Sequence, residues 1–230
     1  MTRIVYVGGF SGGPAGDELQ AALCGLANAE DIDAFTFAEA MRRPGKVHRA
    51  TSGVGVYTHS AGMMALRFTN PERSCSFNPP LPRTVLDLTT RGTARKTRGM
   101  FSRGYSEWGR EGVTAALRFS AGSAAELACH PLGNFSMLGQ IATTNAFDEA
   151  RHLVERGVQT ELVFTSHDDY FSPNPEDIAA ANDTGVRVTV LDGEHDELVL
   201  RPTTFISNYG IRAGLLHQPL RRVAHRKSAA

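Results

Sequence analysis

Strand-like and helix-like patterns alternate along most of this chain, and that alternation restricts its fold more than any other feature. Ile4 to Val7 is a short apolar, β-branched run of the kind buried on both faces of a parallel sheet. Asp17 to Ala29 follows with Leu19, Ala22, Leu23 and Leu26 on one helical face. Asp33 to Phe37 and Val54 to Thr58 read as the second and third strands, and a helix begun at Ala38 is expected to stop at Pro44 and Gly45. Ala61, Met64, Ala65 and Phe68 carry helical spacing directly after the third strand, up to Pro71. Asn145 can cap a helix with Asp148 and Glu149 in its first turn and Gly157 past its end. Leu162 to Thr165 is then a strand, Asn174-Pro175 opens a helix that Gly185 closes, and Val186 to Leu191 is a final strand. Such an order requires right-handed crossovers and a three-layer α/β fold, a mostly parallel sheet with helices on both faces.

The stretch from Leu81 to about Thr144 breaks the pattern. It holds helical pieces around Val113 to Phe119 and Ser123 to Cys129 but no convincing strand. It reads as a helical lid insertion, about 81–144, within a single domain spanning 1–230. With 24 basic against 24 acidic side chains, no whole-molecule field draws the chain to nucleic acid or an anionic membrane. Cys24, Cys75 and Cys129 are widely spaced and form no C-x-x-C pair, so neither a disulfide framework nor a zinc ribbon is expected. The start of the chain has no leader pattern and no apolar run reaches membrane-spanning length, which points to a cytoplasmic protein. Gly8, Gly9, Gly12, Gly13 and Gly16 do not fall into G-x-G-x-x-G, and no P-loop lysine follows; no cofactor and no metal are expected.

The chemistry concentrates at three strand ends. In Val56-Tyr57-Thr58-His59-Ser60-Ala61-Gly62 a strand runs into a serine and a helix begins at once. Such a turn holds the serine in a strained conformation with its hydroxyl above the sheet edge, while small neighbours let strand and helix approach. A serine that merely caps the helix is the bland alternative. The loops after the two later strands carry Asp168 and Asp169, then Gly193-Glu194-His195. In a parallel sheet these loops gather on one edge, where ligands bind, in the order Ser…Asp…His. A serine hydroxyl needs an imidazole to take its proton, and the imidazole needs a carboxylate to fix its tautomer.

On these residues the chain resembles the α/β-hydrolase superfamily. Thr58-His59-Ser60-Ala61-Gly62 is similar to its nucleophile elbow, Asp169 four residues before Pro173 to its acid loop, Gly193-Glu194-His195 to its histidine loop, and Gly8-Gly9-Phe10 to its oxyanion turn. Thr58 stands where the elbow has its first glycine, Gly8 where the oxyanion turn has a histidine, and the family's first antiparallel strands are missing. The resemblance implies a serine hydrolase acting on a small carboxylic ester or thioester through an acyl-enzyme. Ser60 is then the nucleophile, His195 the base and Asp169 the acid, with Asp168 competing for that role. The backbone N–H groups of Phe10 and Ala61 are implied as the oxyanion hole. His59 and His167 flank matched positions as supporting or exposed residues. Arg91, Arg95, Lys96, Arg98, Arg103 and Arg110 read as a solvated face rather than a nucleic-acid surface. Met100, Phe101, Tyr105 and Trp108 are candidates for an acyl pocket or for packing of the insertion. A hydrolase-like protein that binds or senses a small molecule with little turnover is the alternative.

Overall fold

Six strands, all running the same way, form one sheet in the order β2-β1-β3-β4-β5-β6. They are β1 (Arg3–Val7), β2 (Asp31–Phe35), β3 (Gly55–His59), β4 (Arg73–Phe77), β5 (Gln159–Thr165) and β6 (Arg187–Leu191). The computed structural model describes residues 2–10, 15–92, 131–168 and 170–212, with isolated positions 114, 117 and 121. The helices are α1 (Asp17–Ala27), α2 (Phe37–Arg42), α3 (Pro44–Thr51), α4 (Pro131–Thr143), α5 (Ala146–Glu155), α6 (Pro175–Asp183), α7 (Glu197–Leu200) and α8 (Pro202–Arg212). A 3-10 helix (Ser60–Phe68) follows β3, and a π-helical turn occupies Asp87–Gly92. None of the described helices is long and apolar enough to cross a membrane.

The two-residue period of the strands separates two cores. Val5, Val7, Val56, Leu162 and Phe164 face α2, α3, α5 and the 3-10 helix. Ile4, Tyr6, Tyr57, Cys75, Phe77 and Val163 face α1 and α8 on the other side. Phe77 anchors that second layer. Its ring stacks on Tyr57 at 6.4 Å and meets Phe205 and Tyr209 edge-on at 5.7 and 5.5 Å.

The caps behave as the sequence indicates. Asn145 Oδ1 accepts from Phe147 N at 3.1 Å, and Asn174 Oδ1 accepts from Asp177 N at 2.7 Å. Two departures have clear causes. The helix read from Ala38 does end before Pro44, at Arg42, but a further helix opens there: Pro44 occupies the first position of α3, where its missing N–H costs nothing. Thr36 and Glu39 fix the start of α2 with a reciprocal capping box.

The second departure is β4, a central strand of sequence Arg-Ser-Cys-Ser-Phe that carries no β-branched signal. Its serines are buried, yet each has a partner: Ser76 Oγ accepts from Thr58 Oγ1 at 2.8 Å, and Ser74 Oγ donates to Thr160 Oγ1 at 3.3 Å. Thr58 and Ser76 stand opposite each other in the β3–β4 register. The threonine at the head of the elbow is thus accommodated by a cross-strand hydroxyl pair.

The insertion read over 81–144 lies mostly outside the described residues, as do the basic cluster, Trp108 and its aromatic neighbours, Cys129, and the tail after Gln218. Cys24 and Cys75 carry free thiols. Phe77→Ala should lower the unfolding free energy by about 3–5 kcal/mol, because three aromatic rings lose their common contact; a denaturant titration followed by near-UV circular dichroism measures it.

Candidate active site

The strand order reverses direction at β1. The chain leaves β1 for β2 on one side and returns to place β3 on the other, which opens a crevice at the carboxyl ends of β1 and β3. Gly8-Gly9-Phe10 lies on one wall of that crevice and Ser60 on the other. Ser60 has φ +51°, a left-handed conformation that few non-glycine residues adopt. The turn around it is crowded. A Cβ at Gly62 would collide with the carbonyl oxygens of Val7 and Gly8. A Cβ at Gly9 would lie 3.0 Å from Ser60 Cβ and 3.2 Å from His59 Nδ1. Bare backbone on both sides lets the β1 turn press against the elbow.

Three side chains line up across this edge. Ser60 Oγ lies 3.1 Å from His195 Nε2, and His195 Nδ1 lies 2.7 Å from Asp168 Oδ2. His195 and Asp168 are buried, whereas Ser60 is partly open. The serine and histidine meet as the sequence suggests. The carboxylate against Nδ1 is that of Asp168, the competitor for the acid position; Asp169, the residue expected there, lies outside the described residues. The loop geometry explains the choice. Asp168 Oδ1 accepts from the N–H groups of Tyr170 and Phe171 at 2.7 and 2.9 Å, and its carbonyl accepts from Ser172 Oγ at 2.7 Å. This Asx turn locks one carboxylate oxygen to the backbone and leaves the other for the imidazole.

Burial alone works to raise the pKa of Asp168. The charge of His195 and the hydrogen bonds from His195, Phe171 and Tyr170 outweigh it and hold the carboxyl below the usual carboxylate range. A buried anion is therefore kept in place to orient the ring. Tyr170 and Phe171 flank that ring, at centroid distances of 5.0 and 5.6 Å.

Phe10 is partly buried with its ring edge-on to Phe37 at 6.0 Å, and Ala61 is fully buried at the start of the 3-10 helix. Their amides sit in the turn and the elbow that Gly9 and Gly62 bring together. His167 stands apart, half exposed and 3.1 Å from Asp192.

His59 is buried and donates from Nε2 to the carbonyl of His195 at 2.9 Å. Asn78, at the end of β4, makes the same kind of contact: its Nδ2 donates to the His195 carbonyl at 2.8 Å. No sequence reading singled out Asn78. Its signal was a polar residue capable of φ > 0 between a strand and Pro79, and it adopts φ +46°. Donor atoms of His59, His195 and Asp196 lie within 4.8 Å of one another. Both ring nitrogens of His195 already face Ser60 and Asp168, and His59 Nε2 faces a carbonyl.

No protein-family model matches the sequence, and comparison with the curated proteins finds no match. Comparison with solved structures finds similarity along nearly the whole chain. The enol-lactonase from Burkholderia xenovorans LB400 is 13% identical, with a TM-score of 0.57 over 93% of this chain and 91% of its own. A serine hydrolase from Cycloclasticus zankles is 15% identical, with a TM-score of 0.57 over 95% of this chain and 92% of its own. The thioesterase domain from the curacin biosynthetic pathway is 15% identical, with a TM-score of 0.51 over 90% of each chain. In its parallel six-stranded sheet, its helices on both faces and its structural neighbours, this chain has the fold of the α/β-hydrolase superfamily.

Proposed function

We propose that this chain is a serine hydrolase that cleaves a small carboxylic ester or thioester through an acyl-enzyme intermediate. The observation that carries the proposal is the continuous path from Ser60 Oγ through His195 to Asp168, with contacts of 3.1 and 2.7 Å, on a serine held at the mouth of the crevice. The neighbours named as an enol-lactonase and a thioesterase domain are consistent with substrates of these two kinds.

Ser60 Oγ attacks the acyl carbonyl carbon while His195 Nε2 takes the hydroxyl proton. Asp168 keeps the Nδ1–H tautomer in place and stabilises the imidazolium that forms. The carbonyl oxygen becomes an oxyanion, and the N–H groups of Phe10 and Ala61 receive it, each donor contributing about 3–4 kcal/mol to the transition state. Collapse of the tetrahedral adduct breaks the bond to the leaving alcohol or thiol, which leaves with the proton from His195. A water molecule then gives a proton to His195 and attacks the acyl-serine; the adduct collapses as His195 returns that proton to Ser60 Oγ, releasing the acid.

Ser60→Ala should abolish labelling by a fluorophosphonate probe and reduce hydrolysis of an activated ester by at least ~10³-fold. Hydrolysis at the wild-type rate by that variant would refute the proposal. Asp168→Asn should lower kcat by about 10⁴-fold, because the amide favours the wrong tautomer, whereas Asp169→Asn should stay close to wild type. The reverse ranking would return the acid role to Asp169. A depressed carboxylate pKa also stabilises the fold above the unfolded value of ~3.9, and the contribution disappears as pH falls through the folded value. Thermal unfolding from pH 6 to pH 3 should therefore show a steeper acid-side loss for wild type than for Asp168→Asn.

A further inference from the structure

We infer that His59 and Asn78 position the general base by gripping its main chain, a role that rests on the serine-hydrolase reading. The grip is the pair of hydrogen bonds to one acceptor: His59 Nε2 and Asn78 Nδ2 reach the carbonyl oxygen of His195 at 2.9 and 2.8 Å. A carbonyl has two lone pairs, so both are engaged. The acceptor lies on the same residue as the reacting imidazole, and any shift of that peptide is passed directly to the ring.

Both donors are themselves fixed. Asn78 Oδ1 accepts from Thr165 N at 2.8 Å and Thr165 Oγ1 at 3.0 Å, and Asn78 N donates to Val163 O at 2.6 Å. Because Oδ1 must face those two donors, the amide has one workable orientation, with Nδ2 turned to His195. A ring nitrogen facing a carbonyl must carry the proton, which sets the tautomer of His59. Its ring lies 5.2 Å from that of His195.

The placement of His59 gives the grip its purpose. His59 is the residue before Ser60, so the nucleophile's own strand holds the base's backbone while the nucleophile meets the base's ring. The distance between hydroxyl and imidazole is thereby set at both ends of one short closed path. Asn78 ties the same point to the ends of β4 and β5. Both are positioning residues, since neither faces the reacting atoms directly.

The test compares wild type, His59→Leu, His59→Gln and Asn78→Gly on an activated ester, with unfolding midpoints measured in parallel. His59→Leu removes the donor and keeps apolar bulk; His59→Gln restores an N–H; Asn78→Gly keeps the left-handed backbone but loses the amide. Misplacement of the base should lower kcat by about 10- to 100-fold in His59→Leu and Asn78→Gly with little change in KM. His59→Gln should recover most of the loss. The His195 Nδ1–H resonance, followed by NMR, should broaden or shift in His59→Leu and return in His59→Gln. Wild-type kcat in folded His59→Leu, a loss in His59→Gln as large as in His59→Leu, or a kcat per folded molecule that does not change while stability falls would each overturn the inference. If wild type hydrolyses the ester no faster than Ser60→Ala, the hydrolase reading fails, and the NMR comparison still decides whether the grip holds His195 in place.

Discussion

Because the six strands run in one direction, their carboxyl ends finish on one edge of the sheet, and the meeting of the proposed catalytic groups depends on that convergence. The chain brings Ser60 there after β3, Asn78 after β4, Asp168 after β5 and His195 after β6. No single loop contains more than one of these groups. Their mutual distances are fixed by backbone pairing across the sheet, with side chains closing the last few ångströms. Rigid strands thus supply the precision, and short loops supply the chemistry.

How much of this could be read from the sequence depended on whether the signal was local. The helix starts at Asn145 and Asn174 follow from side chains that bond their own neighbours, and the elbow at Ser60 from a strand that meets small residues. Strand β4 was hidden because Ser74 and Ser76, which fill one of its two buried faces, look like loop when viewed alone. Only the facing Thr58 and Thr160 make those hydroxyls acceptable in a core. Pro44 is a breaker by itself and a helix opener in its setting, a difference set by where α2 has just ended.

The acid residue shows the limit most clearly. Spacing to Pro173 pointed to the second of two adjacent aspartates, whereas the first is the one whose carboxylate meets His195 Nδ1. The Asx turn that selects Asp168 is a contact with the amides of Tyr170 and Phe171, and counting residues to a proline does not see it. Asn78 escaped for a related reason, since its partners Thr165 and His195 lie far along the chain.

Polar groups in this core follow one rule: a buried hydroxyl, amide or carboxylate is used to fix another group in place. Thr58 meets Ser76, Asn78 meets Thr165, and Asp168 meets two amides and an imidazole. Ser60 is the exception to this comfort, because its backbone is bent into a region that costs about 1–3 kcal/mol for an ordinary side chain. Glycine at that position would relax the chain and silence the hydroxyl. On the hydrolase reading proposed above, resistance to heat and capacity for turnover pull in opposite directions at this residue.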